Sequence, residues 1–228
     1  MIEFVFLDLD DTLLDFHAAE RGALSKTLRS LGIEPTPAVC ARYSEINDWH
    51  WKRLERGELT RAQVKLQRFE RLFEELGVSA DAEAARKQYE ENLAIGHVFI
   101  DGAEELLRSL FGKYRLFIVS NGTLSVQNGR IASAGIGPYF EALFLSEEIG
   151  SVKPQKEFFD VCFSRIQGFD ASRAIIVGDS LTSDIQGGIN AGIKTCLFNP
   201  LGQEHAGGIC PDFEIRSLSD LPMLLEKQ

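Results

Sequence analysis

Apolar and polar positions follow two different rhythms along this chain. Its opening, Ile2-Glu3-Phe4-Val5-Phe6-Leu7, holds five apolar residues in six without alternation, then meets Asp8, Asp10 and Asp11. An unbroken run of this kind predicts a strand buried on both faces, as at the centre of a parallel sheet. From Phe16 to Gly96 the rhythm is helical. Leu24, Leu28 and Leu31 recur at helix spacing, and Gly32 reads as a stop. A second helix is predicted over Ala38 to Arg56, with Tyr43, Asn47, His50, Trp51 and Leu54 on one face. Thr60 reads as the N-cap of a third, which carries Val64, Phe69, Leu72 and Phe73 and closes at Gly77. A fourth is predicted over Asp81 to Ala94.

After Asp101-Gly102 strands and helices alternate. Strands are predicted at Arg115 to Ser120, Ala142 to Leu145, Ala174 to Val177, Thr195 to Phe198 and Phe213 to Ile215. Helices are predicted around Leu106, over Leu124 to Ser133, from Pro154, from Ser183 and over Leu218 to Glu226. Such alternation predicts right-handed crossovers and a parallel, Rossmann-like sheet. The expected fold class is therefore α/β. Residues 1–15 and 98–228 form the core, and residues 16–97 form an inserted all-α four-helix cap.

The chain has 228 residues and a net charge of −10, which argues against a nucleic-acid polymer or an anionic membrane as partner. No apolar run approaches the roughly 20 residues of a membrane span. Cys40, Cys162, Cys196 and Cys210 are far apart, so they are expected as reduced, mostly buried thiols of a cytoplasmic protein. His17, His50, His97 and His205 are equally scattered and argue against a histidine metal site.

The chemistry sits where strands end. The first ends in Asp8-Leu9-Asp10, the second in Ser120-Asn121-Gly122, and the fourth in Gly178-Asp179-Ser180, with Asp184 shortly after. Ser151-Val152-Lys153-Pro154 lies between the third strand and its helix. In a parallel sheet all of these fall on one edge and can converge. Each has a bland alternative: an acidic turn in water, a common Ser-Asn-Gly turn, a helix start, a capping aspartate. Two carboxylates about 4 Å apart repel by about 4 kcal/mol at an effective dielectric of ~20, so crowded acids call for a cation. Jointly the segments predict an oxygen-ligand magnesium site beside a phosphate cradle. Gly187, Gly188 and Gly192 are expected to permit close helix packing or to cap a helix.

In combination, Asp8-x-Asp10-x-Thr12, Ser120-Asn121-Gly122, Lys153-Pro154 and Gly178-Asp179 with Asp184 resemble the haloacid dehalogenase (HAD) superfamily. The helical insert resembles its C1-type cap. Ser146 to Pro154 and Val177 to Gly192 resemble the phosphatase branch, more narrowly its nucleoside 5′-monophosphate phosphatases. The stretch from Tyr43 to Phe69, with Asn47, Trp51, Gly57, Thr60 and Arg68, resembles its pyrimidine 5′-nucleotidases. The resemblance implies that Asp8 attacks phosphorus and that Asp10 is the general acid and base. It implies Mg²⁺ held by Asp8, the Asp10 carbonyl, Asp179 and Asp184, the last acting through water or by orienting Lys153. Ser120, Asn121, Gly122 and Lys153 would neutralise the phosphoryl group, and Thr12 would brace the loop. Position 11 is Asp where many relatives have Gly.

Dehalogenases of the superfamily generally lack an acid two residues after the nucleophile, so Asp10 favours phosphoryl transfer. The alternatives are a phosphosugar phosphatase, a phosphotransferase of the β-phosphoglucomutase type, and an idle binding module. The expected partner is a small phosphorylated substrate, and the expected state is a monomer or weak homodimer. In the cap, Asn47 is expected to read a base edge or satisfy a buried partner, and Trp51 to stack a base or pack between helices. Arg61, Lys65 and Arg68 are expected to form a solvated face.

Overall fold

The computed structural model describes residues 1–204 and 208–228; His205 lies outside the described residues. Six strands form one sheet: β1 (Phe4–Leu7), β2 (Arg115–Ser120), β3 (Ala142–Leu145), β4 (Ala174–Gly178), β5 (Lys194–Phe198) and β6 (Phe213–Ile215). Their order is β3-β2-β1-β4-β5-β6, and every pairing is parallel. All strands therefore point the same way, and β1 lies at the centre between β2 and β4.

Neighbouring residues of a strand face opposite sides of the sheet. Val5, Leu7, Ile118, Ile175 and Val177 pack on one side with Leu106 and Leu110 of helix α5 (Ala103–Leu110). Phe4, Phe6, Phe117, Val119 and Ile176 pack on the other with Phe158, Phe159 and Cys162 of helix α8 (Lys156–Ser164). Both faces are apolar, which is why the sequence shows no alternation.

Between β1 and α5 lie four helices: α1 (Phe16–Ser30), α2 (Pro37–Glu55), α3 (Arg61–Leu76) and α4 (Ala82–Ala94). They share a core of Leu24, Leu28, Tyr43, Ile46, Phe69, Leu72 and Tyr89, joined by Val126 of helix α6 (Leu124–Ala134). Thr60 caps α3 with a reciprocal Gln63 bond, and Asp81 caps α4. The chain leaves the sheet and returns to it side by side. Asp15 N donates to Val98 O at 2.8 Å and Ile100 N to Leu13 O at 3.0 Å.

Four elements differ from the sequence expectation. Ser146–Ile149 forms a short helix, α7, absent from that reading, and α8 starts at Lys156 rather than Pro154. The helix predicted from Ser183 begins earlier, as a wide π-type turn over Leu181–Ile185, before α9 (Gln186–Ala191). The C-terminal helix is shorter, a 3₁₀ turn over Leu218–Asp220 followed by α10 (Leu221–Glu226). Cys40, Cys162 and Cys196 are buried and free, and Cys210 is exposed and free. No described helix is long and apolar enough to cross a membrane.

Candidate active site

The parallel sheet brings the ends of β1, β2 and β4 and the loop after α7 to one edge. Asp8 N donates to Val177 O at 2.9 Å, so its backbone still belongs to the sheet while its carboxyl enters a cleft. Lys153 reaches the same point. Its Nζ donates to Asp8 Oδ1 at 2.5 Å, Asp184 Oδ1 at 2.6 Å and Val119 O at 2.8 Å. An ammonium has three protons, so this one is fully used and fixed in direction. Burial pulls the Lys153 pKa down, but Asp184 and Asp8 more than offset it, and the net shift is upward.

The carboxylates respond to the crowding. Burial pushes Asp8 well above the usual range against the pull of Lys153, and Asp184, Asp179 and Asp10 push the same way. Asp179 reaches solvent through the cleft. Protein packed around its carboxyl, together with Asp184 and Asp11, nevertheless raises its pKa to about 8. One oxygen each from Asp8, Asp179 and Asp184 lies within 4.8 Å of the others. An all-oxygen donor set held this close suits a hard divalent cation, which would remove the repulsion that now favours protons.

Two glycines make the arrangement possible. A Cβ at Gly178 would lie 2.3 Å from the Asp184 carboxyl carbon, and one at Gly122 would lie 2.3 Å from Gln127 Nε2. Gly187 and Gly188 serve packing: added Cβ atoms would meet Phe159 and Ile176, at 2.7 and 2.5 Å. Gly192 caps α9 with a left-handed φ of 71°.

The loop after β2 is braced from several sides. Asn121 Oδ1 accepts from Lys153 N at 2.8 Å, and its Nδ2 donates to Lys153 O at 2.9 Å. Ser120 Oγ accepts from Gln127 Nε2 at 2.8 Å and from Gly122 N at 3.0 Å. Both lone pairs being taken, its O–H is left to donate. Thr12 is buried and donates to Asp179 Oδ1 at 3.3 Å, bracing that carboxylate rather than lining the cleft. Asp11 adopts a left-handed φ of 56°, a conformation Gly takes freely and Asp tolerates. Its carboxylate accepts from Phe16 N at 2.9 Å, at the start of α1.

A cleft of about 240 Å³ runs from this edge up to α2, α3 and α4, with Trp51, Glu55, Arg68 and Glu90 on its far wall. Asn47 is not part of that wall. Its Nδ2 donates to Glu20 Oε1 at 2.9 Å, and its Oδ1 accepts from Trp51 Nε1 at 3.1 Å and Arg68 Nη1 at 2.8 Å. It thus orients Trp51 from behind.

The solvated face expected for Arg61, Lys65 and Arg68 is not observed. Arg61 donates to Asn121 O at 2.6 Å and Ser146 Oγ at 2.5 Å, and sits 5.5 Å from the Trp51 ring centre. Arg68 is buried, 4.8 Å from the Tyr89 ring centre. Lys65 pairs with Glu90 at 3.1 Å. Arg61 supplies the donor that the loop carbonyls of Asn121 and Gly122 need, and Arg68 alone of the three lines the cleft.

Two residues absent from the sequence reading also touch the site. Gln127 Nε2 donates to Asp10 Oδ2 at 2.6 Å, and the fully buried Arg130 ion-pairs with Asp10 Oδ1. The available signal was their i, i+3 spacing on the helix that follows Ser120-Asn121-Gly122.

The family model for haloacid dehalogenase-like hydrolases matches residues 2–192. The chain belongs to this family. The HAD-hydrolase YfnB of Bacillus subtilis is 40% identical over 97% of this chain and 94% of its own. The crystal structure of YfnB, bound to magnesium and showing interdomain movement, superposes with a TM-score of 0.93 over 98% of each chain. The pyrimidine 5′-nucleotidase PynA of Streptococcus pneumoniae is 38% identical over 99% of this chain and 95% of its own. The pyrimidine 5′-nucleotidase YjjG of Escherichia coli is 32% identical over 99% of this chain and 98% of its own. This HAD hydrolase is an enzyme of the phosphatase kind.

Proposed function

We propose that the protein hydrolyses small phosphomonoesters through an aspartyl-phosphate on Asp8, with pyrimidine nucleoside 5′-monophosphates as the substrate class. The observation that carries this is the meeting of Asp8, Asp10, Ser120, Lys153, Asp179 and Asp184 around one cleft. The two pyrimidine 5′-nucleotidases aligned along nearly the whole chain support the substrate class.

Asp8, Asp179, Asp184 and the Asp10 carbonyl would hold Mg²⁺. When bound, that ion neutralises carboxylate and phosphoryl charge. Lys153 holds Asp8 by Oδ1 and so fixes the direction from which the carboxylate meets phosphorus. The Asp8–phosphorus bond forms as the ester P–O bond breaks, and Asp10 gives its proton to the departing alkoxide. Asp10 then takes a proton from water, the water oxygen bonds phosphorus, and the Asp8–phosphorus bond breaks. The Ser120 hydroxyl donates to a phosphoryl oxygen throughout.

Residues 16–97 act as a cap that selects the leaving group. Trp51, held by Asn47 and Arg61, offers a flat face to a base. The cleft wall also weighs against a mutase. Among the described residues lining the cleft, the cations are Lys153 and Arg68, and Arg68 is already engaged with Asn47. Asp48 and Glu90 on that wall are paired with Lys52 and Lys65, and Glu55 offers a second phosphate no cation. The test is phosphate release from a panel of nucleoside monophosphates and sugar phosphates, with magnesium or EDTA. Stoichiometric phosphate from pyrimidine nucleotides, lost in EDTA and in Asp8→Asn, is expected. Interconversion of sugar phosphates without phosphate release would overturn the proposal.

A further inference from the structure

Asp10 is gripped on both carboxylate oxygens by one helix. Gln127 Nε2 donates to Oδ2 at 2.6 Å, and Arg130 Nη1 pairs with Oδ1. Arg130 has no solvent exposure. Its Nε donates to Gly96 O at 3.3 Å, its guanidinium lies 5.8 Å from the Phe16 ring centre, and its Nη2 has no hydrogen-bond partner among the described residues. A buried guanidinium with an orphaned donor is a poor structural element. Its one strong contact is the Asp10 carboxylate.

From this geometry we infer that Gln127 and Arg130 are positioning residues for proton transfer, forming a clamp that sets the orientation of the Asp10 carboxylate. The inference rests on the role proposed above for Asp10. The clamp has built-in alignment. Gln127 Nε2 spends one proton on Asp10 and the other on Ser120 Oγ, so the proton-transfer group and a phosphate-binding hydroxyl are held by one nitrogen. Gln127 can come this close because position 122 is Gly. Arg130 Nη1 also donates to Gln127 Oε1 at 3.3 Å, which fixes the amide. At Gly129 an added Cβ would lie 2.6 Å from Ala94 O, so α6 is pressed against the end of α4 next to the clamp. Arg130 Nε in turn holds the carbonyl of Gly96, where the chain leaves α4. The clamp thus spans Asp10, Ser120 and the return from the helical insert.

A clamp on the proton donor has a signature that a packing role lacks. An alkoxide leaving group needs a proton as it departs, whereas p-nitrophenolate does not. The experiment compares kcat/KM, which reports only steps up to transfer of phosphorus to Asp8, for a pyrimidine nucleoside monophosphate and for p-nitrophenyl phosphate. The variants are Arg130→Met, Arg130→Lys and Gln127→Met, with Asp10→Asn as reference and melting curves for each. For the nucleotide, Arg130→Met and Gln127→Met are expected to lose about 100-fold, the scale of a mispositioned catalytic group. For p-nitrophenyl phosphate the loss is expected below about 5-fold, because no acid is required for that leaving group. KM is expected to change little, and Arg130→Lys should recover part of the nucleotide activity.

Equal losses for the two substrates, or no loss, in variants that melt as the parent does would overturn the inference. If Arg130→Met does not fold, Gln127→Met and Arg130→Lys decide by the same ratio. Failure of the broader reading looks different. There Asp8→Asn would leave phosphate release intact, or Asp10→Asn itself would not discriminate between the two leaving groups.

Discussion

Lys153→Met keeps most of the side-chain volume and removes the charge that two buried carboxylates share. The ammonium lies 2.5 Å from Asp8 and 2.6 Å from Asp184, and all three side chains are at least nine-tenths buried. At an effective dielectric of ~20 each contact is worth about 6 kcal/mol of Coulomb energy. The net loss is smaller, because a carboxyl left alone takes up a proton. Breaking a buried pair by removing one partner costs about 3–5 kcal/mol. For a chain of this size about 2–4 °C of melting temperature goes with each kcal/mol, so a fall of about 6–20 °C is expected in EDTA at pH 8. Losing the lysine raises the folded-state pKa of Asp8 further above its unfolded value. A group raised in this way favours the folded state at low pH and loses that contribution as pH rises. The deficit should therefore shrink at pH 5, and magnesium should shrink it at pH 8. Scanning calorimetry at the two pH values, with and without the ion, measures all of this. A deficit under about 2 °C at pH 8, or one that grows towards acid pH, would refute the account of the buried pair.

Three further outcomes are expected. Asp179, at about 8 in the folded chain against 3.8 for its ordinary value, contributes stability that is full below about pH 4 and lost by about pH 8. The melting temperature in EDTA should consequently fall across that window and the magnesium-induced rise should grow; equal slopes with and without magnesium would contradict it. Trp51→Ala should raise KM for pyrimidine nucleotides by about 10- to 100-fold if a base stacks there, with little change for p-nitrophenyl phosphate. Arg61→Ala removes charge-assisted bonds to the loop after β2, each worth about 1.5–3 kcal/mol, and should show as a raised nucleotide KM and faster proteolysis between α2 and α3. Unchanged cleavage would mean that Arg61 does not hold the helices to the sheet.

The sheet was legible because its strands are apolar on both faces, which left the residues at their ends conspicuous. Asp8, Lys153, Asp179 and Asp184 meet as the strand order requires, and the helical insert appears where periodicity changed from short runs to a helical repeat. What escaped the sequence were contacts made across the fold. Arg61 and Arg68 look like an ordinary charged helix face until the loop carbonyls and the buried Asn47 opposite them are known. Gln127 and Arg130 carry no motif of their own, since their meaning lies in reaching Asp10 from a helix more than a hundred positions away. The width of the turn at Leu181–Ile185, which aims Asp184 back over Gly178, likewise depends on the strand it folds against.

The paired backbone bonds at Asp15–Val98 and Leu13–Ile100 give the four-helix insert a single narrow doorstep. An inserted segment whose two ends already touch adds almost no loop for the sheet to close, so what ties it to the sheet beyond that point is side-chain contact, Arg61 on the carbonyls of Asn121 and Gly122 and Gly129 against Ala94. An exchanged insert would keep the reacting carboxylates in place only if it kept those contacts and the Gly96 carbonyl that Arg130 holds, which leaves the remainder of its sequence free to diverge on its own evolutionary track.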